Sequence, residues 1–271
     1  MGVIGPHRLN LAKIFKEVKN VQEFVFKSVD GEEKALLGIA QGKRRPLLVG
    51  LHTWSADLDN QVNSYGPPAK DRDWSLILPS FRGPNLVTNP RRQQACASPL
   101  AIADILHSVD AFCERYPEKI DKDKIYLLGG SGGGHMALCA LASDPQRWRM
   151  VSSWCPITDL EAWHSENLNY APHIAACCGG EPGESPQVDW EYFRRSPINM
   201  VKKLAQGRVF INHGKYDPSV PYTHSLRLYN ALCEAGGQRQ YLNIFPGGHD
   251  LYVQEAFAQL EYEKESSELS G

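Results

Sequence analysis

Ser131 stands at the centre of Leu127-Leu128-Gly129-Gly130-Ser131-Gly132-Gly133-Gly134-His135, after an apolar run and before a small-residue segment of helical character. In that setting Gly129-x-Ser131-x-Gly133 fits a strand turning sharply into a helix, with the serine strained and small residues two positions either side to avoid a clash. Such a turn exposes the hydroxyl at the carboxyl end of a sheet. It also aims the N–H of Gly132, at a helix N-terminus, toward developing negative charge. A phosphate loop is ruled out because no Lys-Ser/Thr pair follows the glycines. A dinucleotide fingerprint fits Gly130–His135 only with the wrong last residue, and without the acidic partner such a motif needs about 20 positions on.

A serine is a weak nucleophile until a base, itself oriented by an acid, takes its proton. In a strand–turn–helix arrangement the expected chain order is Ser, then Asp or Glu, then His. Asp217, in His213-Gly214-Lys215-Tyr216-Asp217-Pro218-Ser219-Val220-Pro221, and His249, in Pro246-Gly247-Gly248-His249-Asp250, fill that order, each on a loop after an apolar strand candidate. The rivals are weaker. His213 reads as loop packing, His224 falls at a helix start, His135 lies one helical turn into the elbow helix, and Asp250 adjoins the histidine it would have to orient. The second oxyanion donor is expected in His52-Thr53-Trp54-Ser55. The N–H of Trp54 is favoured, with Thr53 and Ser55 as alternatives, and the Trp54 side chain could wall the acyl pocket or simply pack. Arg82, Asn85, Arg91 and Arg92 follow a strand on the same edge and are candidates for substrate contact or structural ion pairs. Trp163, His164, Tyr170 and His173 are candidates for lining the leaving-group side.

Positioning these groups requires a sheet. Strand candidates are Leu47–His52, Trp74–Leu78, Lys124–Leu128, Met150–Trp154, Arg208–Asn212 and Tyr241–Phe245, mostly unbroken apolar runs of the kind covered on both faces. Before them, Glu23–Ser28 and Lys34–Ala40 flank Val29-Asp30-Gly31-Glu32, a hairpin signal. A helix is predicted from Pro99, capped by Ser98. Its stripe runs through Ile102, Ile105, Leu106, Val109, Phe112, Cys113 and Tyr116 and is closed by Pro117. Further helices are expected at Gly133–Ala142, Thr223–Ala235 and Leu251–Lys264. Alternating strands and helices predict an α/β fold with a mostly parallel, doubly wound sheet and helices on both faces. Residues 156–197, rich in Pro, Gly and aromatics, are too long for an ordinary loop and read as a short cap inserted into a single domain spanning 1–271.

The second half resembles the catalytic domain of the prolyl oligopeptidase family of serine hydrolases, within the α/β-hydrolase fold. The resemblance is carried by Gly129-Gly130-Ser131-Gly132-Gly133, Ser196-Pro197-Ile198-Asn199, His213-Gly214-x-x-Asp217-x-x-Val220-Pro221 and Gly247-Gly248-His249. It implies Ser131 as nucleophile, Asp217 as acid and His249 as base. The first half is less similar to small esterases of this fold. Arg82-Gly83 after Pro79 looks like their Pro-Asp-x-Arg-Gly loop, with Ser80 in place of the Asp, and His52-Thr53 lacks their first glycine.

Composition narrows the function further. Lys+Arg number 29 against 31 Asp+Glu, a formal charge of −2 that gives no electrostatic case for nucleic acid or an anionic membrane. No apolar run reaches the about 18 residues of a membrane span. Seven scattered cysteines without a CxxC or zinc spacing read as reduced, free thiols in a cytoplasmic protein, although secretion after loss of a leader stays open. Cys113, Cys139 and Cys233 fall in apolar helical patterns, and Cys177-Cys178 could form a loop pair. About 45 residues precede the first core strand, too few for the β-propeller carried by peptidases of the resembled family. The expectation is therefore a carboxylic ester hydrolase acting on a small-molecule ester, including acetyl or feruloyl esters of carbohydrates, with no metal or organic cofactor. A prolyl oligopeptidase-type peptidase is the alternative, and a non-catalytic binding protein on a hydrolase scaffold a third. A homo-oligomer is admissible.

Overall fold

The computed structural model describes residues 21–262. Eight strands form one sheet in the order β1-β2-β4-β3-β5-β6-β7-β8. They are β1 (Val21–Ser28), β2 (Gly31–Gly38), β3 (Arg45–Leu51), β4 (Ser75–Pro79), β5 (Ile120–Gly130), β6 (Met150–Trp154), β7 (Val209–Gly214) and β8 (Gln240–Phe245). The first two make the antiparallel hairpin, with Ser28 opposite Gly31, and β2 pairs antiparallel with β4. Every later pairing is parallel.

The side-chain period of two explains why the parallel strands read as unbroken apolar runs. Leu47, Val49 and Leu51 of β3 and Ile125 and Leu127 of β5 face one core, and Leu48, Tyr126 and Leu128 face the other. The first core is closed by α2 (Pro99–Arg115), α3 (Gly132–Ser143) and α8 (Thr223–Glu234), the second by α1 (Val62–Asp71) and α9 (Val253–Leu260). The Ser98 hydroxyl caps α2 by accepting from the Ala101 N–H at 3.2 Å. The helix expected over Leu251–Lys264 is shorter, and Lys264 lies outside the described residues.

The α1 helix escapes sequence periodicity because Gly66-Pro67-Pro68 interrupts it. It is held by packing: Val62, Tyr65, Pro68 and Ala69 are buried, and Tyr65 presses against the Gly50 backbone so closely that a Cβ there would lie 2.6 Å from its ring. Residues 156–197 fold into the short helices α4 (Leu160–Glu166), α5 (Ala171–Cys178) and α6 (Pro186–Arg194) and a 3₁₀ turn over Pro197–Asn199, followed by α7 (Val201–Leu204). Their buried faces build a third apolar cluster with Trp54, Cys96 and Val220. Cys177 and Cys178 are not a loop pair but the buried last turn of α5, with both thiols free. Cys233 is exposed, because the buried stripe of α8 runs through His224, Ser225, Leu228 and Leu232. No helix among the described residues is long and apolar enough to cross a membrane.

Candidate active site

At Ser131 the backbone has φ 56° and ψ −123°, a left-handed conformation that costs a side-chain-bearing residue of order 1–3 kcal/mol. Two close approaches hold it there. A Cβ on Gly129 would lie 2.2 Å from the Gly133 carbonyl oxygen, so the turn from β5 into α3 closes only over glycine. The Ser131 N–H donates to the Trp154 carbonyl at 2.8 Å, and its own carbonyl accepts from the His135 N–H at 3.0 Å, which starts α3.

His249 follows β8 on the same sheet edge, and its Nδ1 lies 2.6 Å from Asp217 Oδ2. The Asp217 side chain is fully buried, whereas that of His249 is 27% exposed, so the imidazole reaches solvent while its acid does not. Asp217 Oδ1 accepts from the N–H groups of Ser219 and Val220 at 2.8 and 2.9 Å. Burial alone would raise the Asp217 carboxyl. Hydrogen bonds from His213 and His249 and from the Val220 N–H overcome that and hold it well below the usual carboxylate range. The two loops are tied together, with Lys215 N–H donating to the Phe245 carbonyl and Tyr216 N–H to the Gly247 carbonyl.

His213 is more than loop packing. It is fully buried, and its Nε2 lies 2.9 Å from the Val220 carbonyl and 3.2 Å from Asp217 Oδ2. Both are acceptors, so Nε2 carries the proton, and Nδ1 accepts from Ser225 Oγ at 2.7 Å. The only sequence signal for this role was its place four residues before the acid. The other rivals have structural partners: His135 Nε2 bonds the Arg195 carbonyl at 2.7 Å, His224 Nε2 bonds Glu166 Oε2 at 2.7 Å, and Asp250 Oδ2 accepts from the Gly248 N–H at 2.9 Å.

Ser131 and His249 line one cleft of about 150 Å³ with Thr53, Gln61, Ser64, Tyr65, Cys155 and Leu251. A larger cavity of about 830 Å³ between α2 and the segment after α6 touches none of the three candidate triad residues. Cys155 was not anticipated at the site. Its thiol donates toward the Asp250 carbonyl at 3.5 Å, and burial pushes it up to about 12, so it stays protonated. Cys155, Asp217 and His249 are the set among the described residues whose ligand atoms come within 4.8 Å of one another. Two of those groups are already spent on each other, which fits a proton-transfer pair.

On the oxyanion side, a Cβ on Gly132 would lie 2.5 Å from the Trp54 backbone nitrogen, so the first residue of α3 and the loop after β3 touch. His52 fixes that loop by stacking on Phe81 at 3.8 Å and bonding the Ser80 carbonyl at 2.9 Å. Thr53 borders the cleft and Ser55 is exposed.

Of the two readings of the arginines after β4, the ion-pair one describes Arg82 and Arg91, and the substrate contact expected of Arg82 is corrected. Arg82 is 2% exposed and is consumed by Asp30 at 2.7 Å, Asp104 at 2.7 Å and Glu33 at 3.6 Å. Arg91 pairs with Glu33, Arg92 turns to the Asn89 carbonyl, and the buried Asn85 accepts from the Cys96 N–H at 2.7 Å. Trp163 is 1% exposed and donates from Nε1 to the Ser219 carbonyl at 2.8 Å, so it braces the acid loop. Tyr170 stacks on Trp163 at 4.8 Å, His164 lies against Glu181, and His173 accepts from the Val87 N–H. None of these four borders the cleft shared by Ser131 and His249.

The structure thus places a serine at a strained strand–helix turn in one cleft with an imidazole held by a buried carboxylate, the residue types of a proton-transfer pair beside a nucleophile. A family model described as the prolyl oligopeptidase family matches residues 100–266. An uncharacterized peptidase, YtmA, of Bacillus subtilis is 28% identical over 113 residues, 42% of this chain and 42% of that protein. Dipeptidyl aminopeptidase B of Saccharomyces cerevisiae is 28% identical over 129 residues, 47% of this chain and 14% of that one. An acylaminoacyl peptidase of Pyrococcus horikoshii superposes with a TM-score of 0.69 at 20% identity, over 92% of this chain and 41% of its own. A puromycin-hydrolyzing peptidase of Mycobacterium tuberculosis does so at 0.71 and 18% identity, over 89% and 38%. These likenesses identify the architecture as the α/β-hydrolase fold. The chain spans less than half the length of these relatives.

Proposed function

The chain belongs to the prolyl oligopeptidase family and is a serine hydrolase of that family, and from that premise we propose that it cleaves peptide or aminoacyl amide bonds of small substrates through Ser131, His249 and Asp217. The 2.6 Å contact between His249 Nδ1 and the buried Asp217 carboxylate carries the reading. It fixes the tautomer that leaves Nε2 free to accept the Ser131 Oγ proton as Oγ attacks the carbonyl carbon. The Gly132 and Trp54 N–H groups hold the oxyanion. Nε2 then returns the proton to the leaving nitrogen, and water repeats the sequence on the acyl-enzyme. Residues 156–197 form a cap that packs on Trp54 and Val220 beside the site.

The amide reading is supported by the named relatives, which are peptidases, and it replaces the ester preference expected from sequence. Ester hydrolysis remains the second reading, favoured by the small cleft of about 150 Å³ at Ser131. The test has two steps. A small dialkyl fluorophosphonate is expected to label the wild type and not Ser131→Ala; labelling that survives the substitution, or no labelling of folded protein, removes the triad assignment. Glycyl and alanyl p-nitroanilides are then compared with p-nitrophenyl acetate. Turnover of the anilides supports the amide reading, and turnover of the ester alone hands the function to the second.

A further inference from the structure

A carbonyl carbon bonded to Ser131 Oγ carries three other groups, and the proposed mechanism sorts them. The oxygen faces Gly132 and the loop at Trp54. The leaving group takes its proton from His249 and so lies on the His249 side, in the cleft lined by Gln61, Tyr65, Cys155 and Leu251. With the leaving group in that cleft, the acyl substituent is left the side of Ser131 on which Trp54 and the third apolar cluster pack, outside the cleft.

That side is filled. The Trp54 side chain leaves the loop directly against the elbow, its Cβ 2.9 Å from where a Gly132 Cβ would stand. Its indole is 1% exposed, edge-on to Trp163 at 4.9 Å and to Tyr170 at 6.3 Å, and 6.3 Å from His135 in the first turn of α3. Ile157, Leu160 and Val220, all fully buried, close the cluster around it. The indole Nε1 and His135 Nδ1 are both buried with no hydrogen-bond partner among the described residues. The position therefore uses the volume of the ring and not its N–H.

We propose that the Trp54 indole occupies the acyl-side space and restricts the acyl part of the substrate to a small group, such as an acetyl or a glycyl unit. The proposal rests on Ser131 as nucleophile. Trp54 is thus a specificity-determining residue whose backbone serves the oxyanion while its side chain fixes acyl size.

p-Nitrophenyl esters report acyl size whatever the natural leaving group. Wild type, Trp54→Ala, Trp54→Leu and Trp54→Phe are compared on the acetate, butyrate and octanoate esters, each variant keeping the backbone N–H. Wild-type kcat/KM should fall as the chain lengthens. Trp54→Ala should raise the octanoate-to-acetate ratio by about tenfold or more, since even one methylene of pocket space changes discrimination by roughly that factor. Trp54→Phe should keep the wild-type order. If Trp54→Ala does not fold, Trp54→Leu reads the same shift at smaller size. A wild type that takes octanoate as readily as acetate, or folded variants with an unchanged ratio, overturns the proposal. If no ester turns over and the small fluorophosphonate also fails to label Ser131, the hydrolase reading has failed and takes the proposal with it. Labelling together with an unchanged ratio sinks the proposal alone.

Discussion

His213 divides its Nε2 proton between the Val220 carbonyl and Asp217 Oδ2, so the buried acid is held by two imidazoles and two backbone N–H groups. Asp217→Asn keeps the shape, but with its oxygen held by the Ser219 and Val220 N–H groups it presents an amide donor where the His249 Nδ1–H needs an acceptor; the ring is driven to the tautomer with Nε2 protonated, and kcat should fall by about 10⁴-fold with little change in KM. His213 acts one step further out, as a positioning residue. His213→Ala should reduce kcat by about tenfold through the lost hydrogen bond, with KM nearly unchanged, and His213→Gln, whose amide can donate to the same carboxylate, should recover most of it. Equal losses in both variants, or a loss confined to KM, would assign His213 to packing alone. At this scale the three proposed triad residues were candidates from spacing, because glycines and prolines around Ser131, Asp217 and His249 mark the loops that carry them. His213 and Cys155 could not, since their roles depend on which loop lies opposite, and linear spacing does not encode that.

Among the elements, the hairpin and its neighbours were legible and their ion pairs were not. Arg82 follows β4, but its guanidinium turns back to Asp30 in the hairpin turn, Glu33 on β2 and Asp104 on α2. Burial opposes ionisation of Asp104, and its bonds to Arg82 and Ser28 counter that. Arg82→Met would leave Asp104 buried without its cation, while Glu33 keeps Arg91. It should destabilise the fold by about 3–5 kcal/mol in urea melts, while kcat/KM of the folded fraction stays near wild type. A raised KM with unchanged stability would return Arg82 to the substrate. The predicted strand cores match β3 to β8 within a few residues at their ends, because covered parallel strands are apolar on both faces. The α1 helix was invisible for the opposite reason: tertiary packing of Val62, Tyr65 and Ala69 overrides the propensity of Gly66-Pro67-Pro68.

Across the whole molecule, three histidines lie buried and poorly able to take a proton. Burial lowers His135 from its ordinary 6.5 to about 4, and also lowers His52 and His224. Below pH 6.5 the unfolded chain protonates these rings while the folded chain resists, His135 until about pH 4, so the unfolded state binds more protons and stability falls as pH drops below 6.5. His135 alone should account for about 3 kcal/mol of the fall. The urea midpoint is expected to hold steady from pH 8 to about 6.5 and then decline to about pH 4. A flat midpoint across that interval would mean that the rings protonate without unfolding.

By itself the sequence determined the sheet class and the elbow, and it singled out the candidates proposed as nucleophile, acid and base, because each rests on local chemistry: apolar period, glycine tolerance and loop punctuation. The tertiary structure alone decided which of those groups meet and what surrounds them. Trp54 is the clearest case. Its position in the chain placed its N–H near the oxyanion, yet whether its indole walls a pocket or fills one depends on Trp163, Tyr170 and His135, which arrive from 109, 116 and 81 residues away. Arg82 reads the same way, as a candidate for substrate contact or an ion pair in the sequence and a buried hub in space. Volume and charge compensation are set by neighbours in three dimensions, and the chain folds them together only after the local signals have placed the strands.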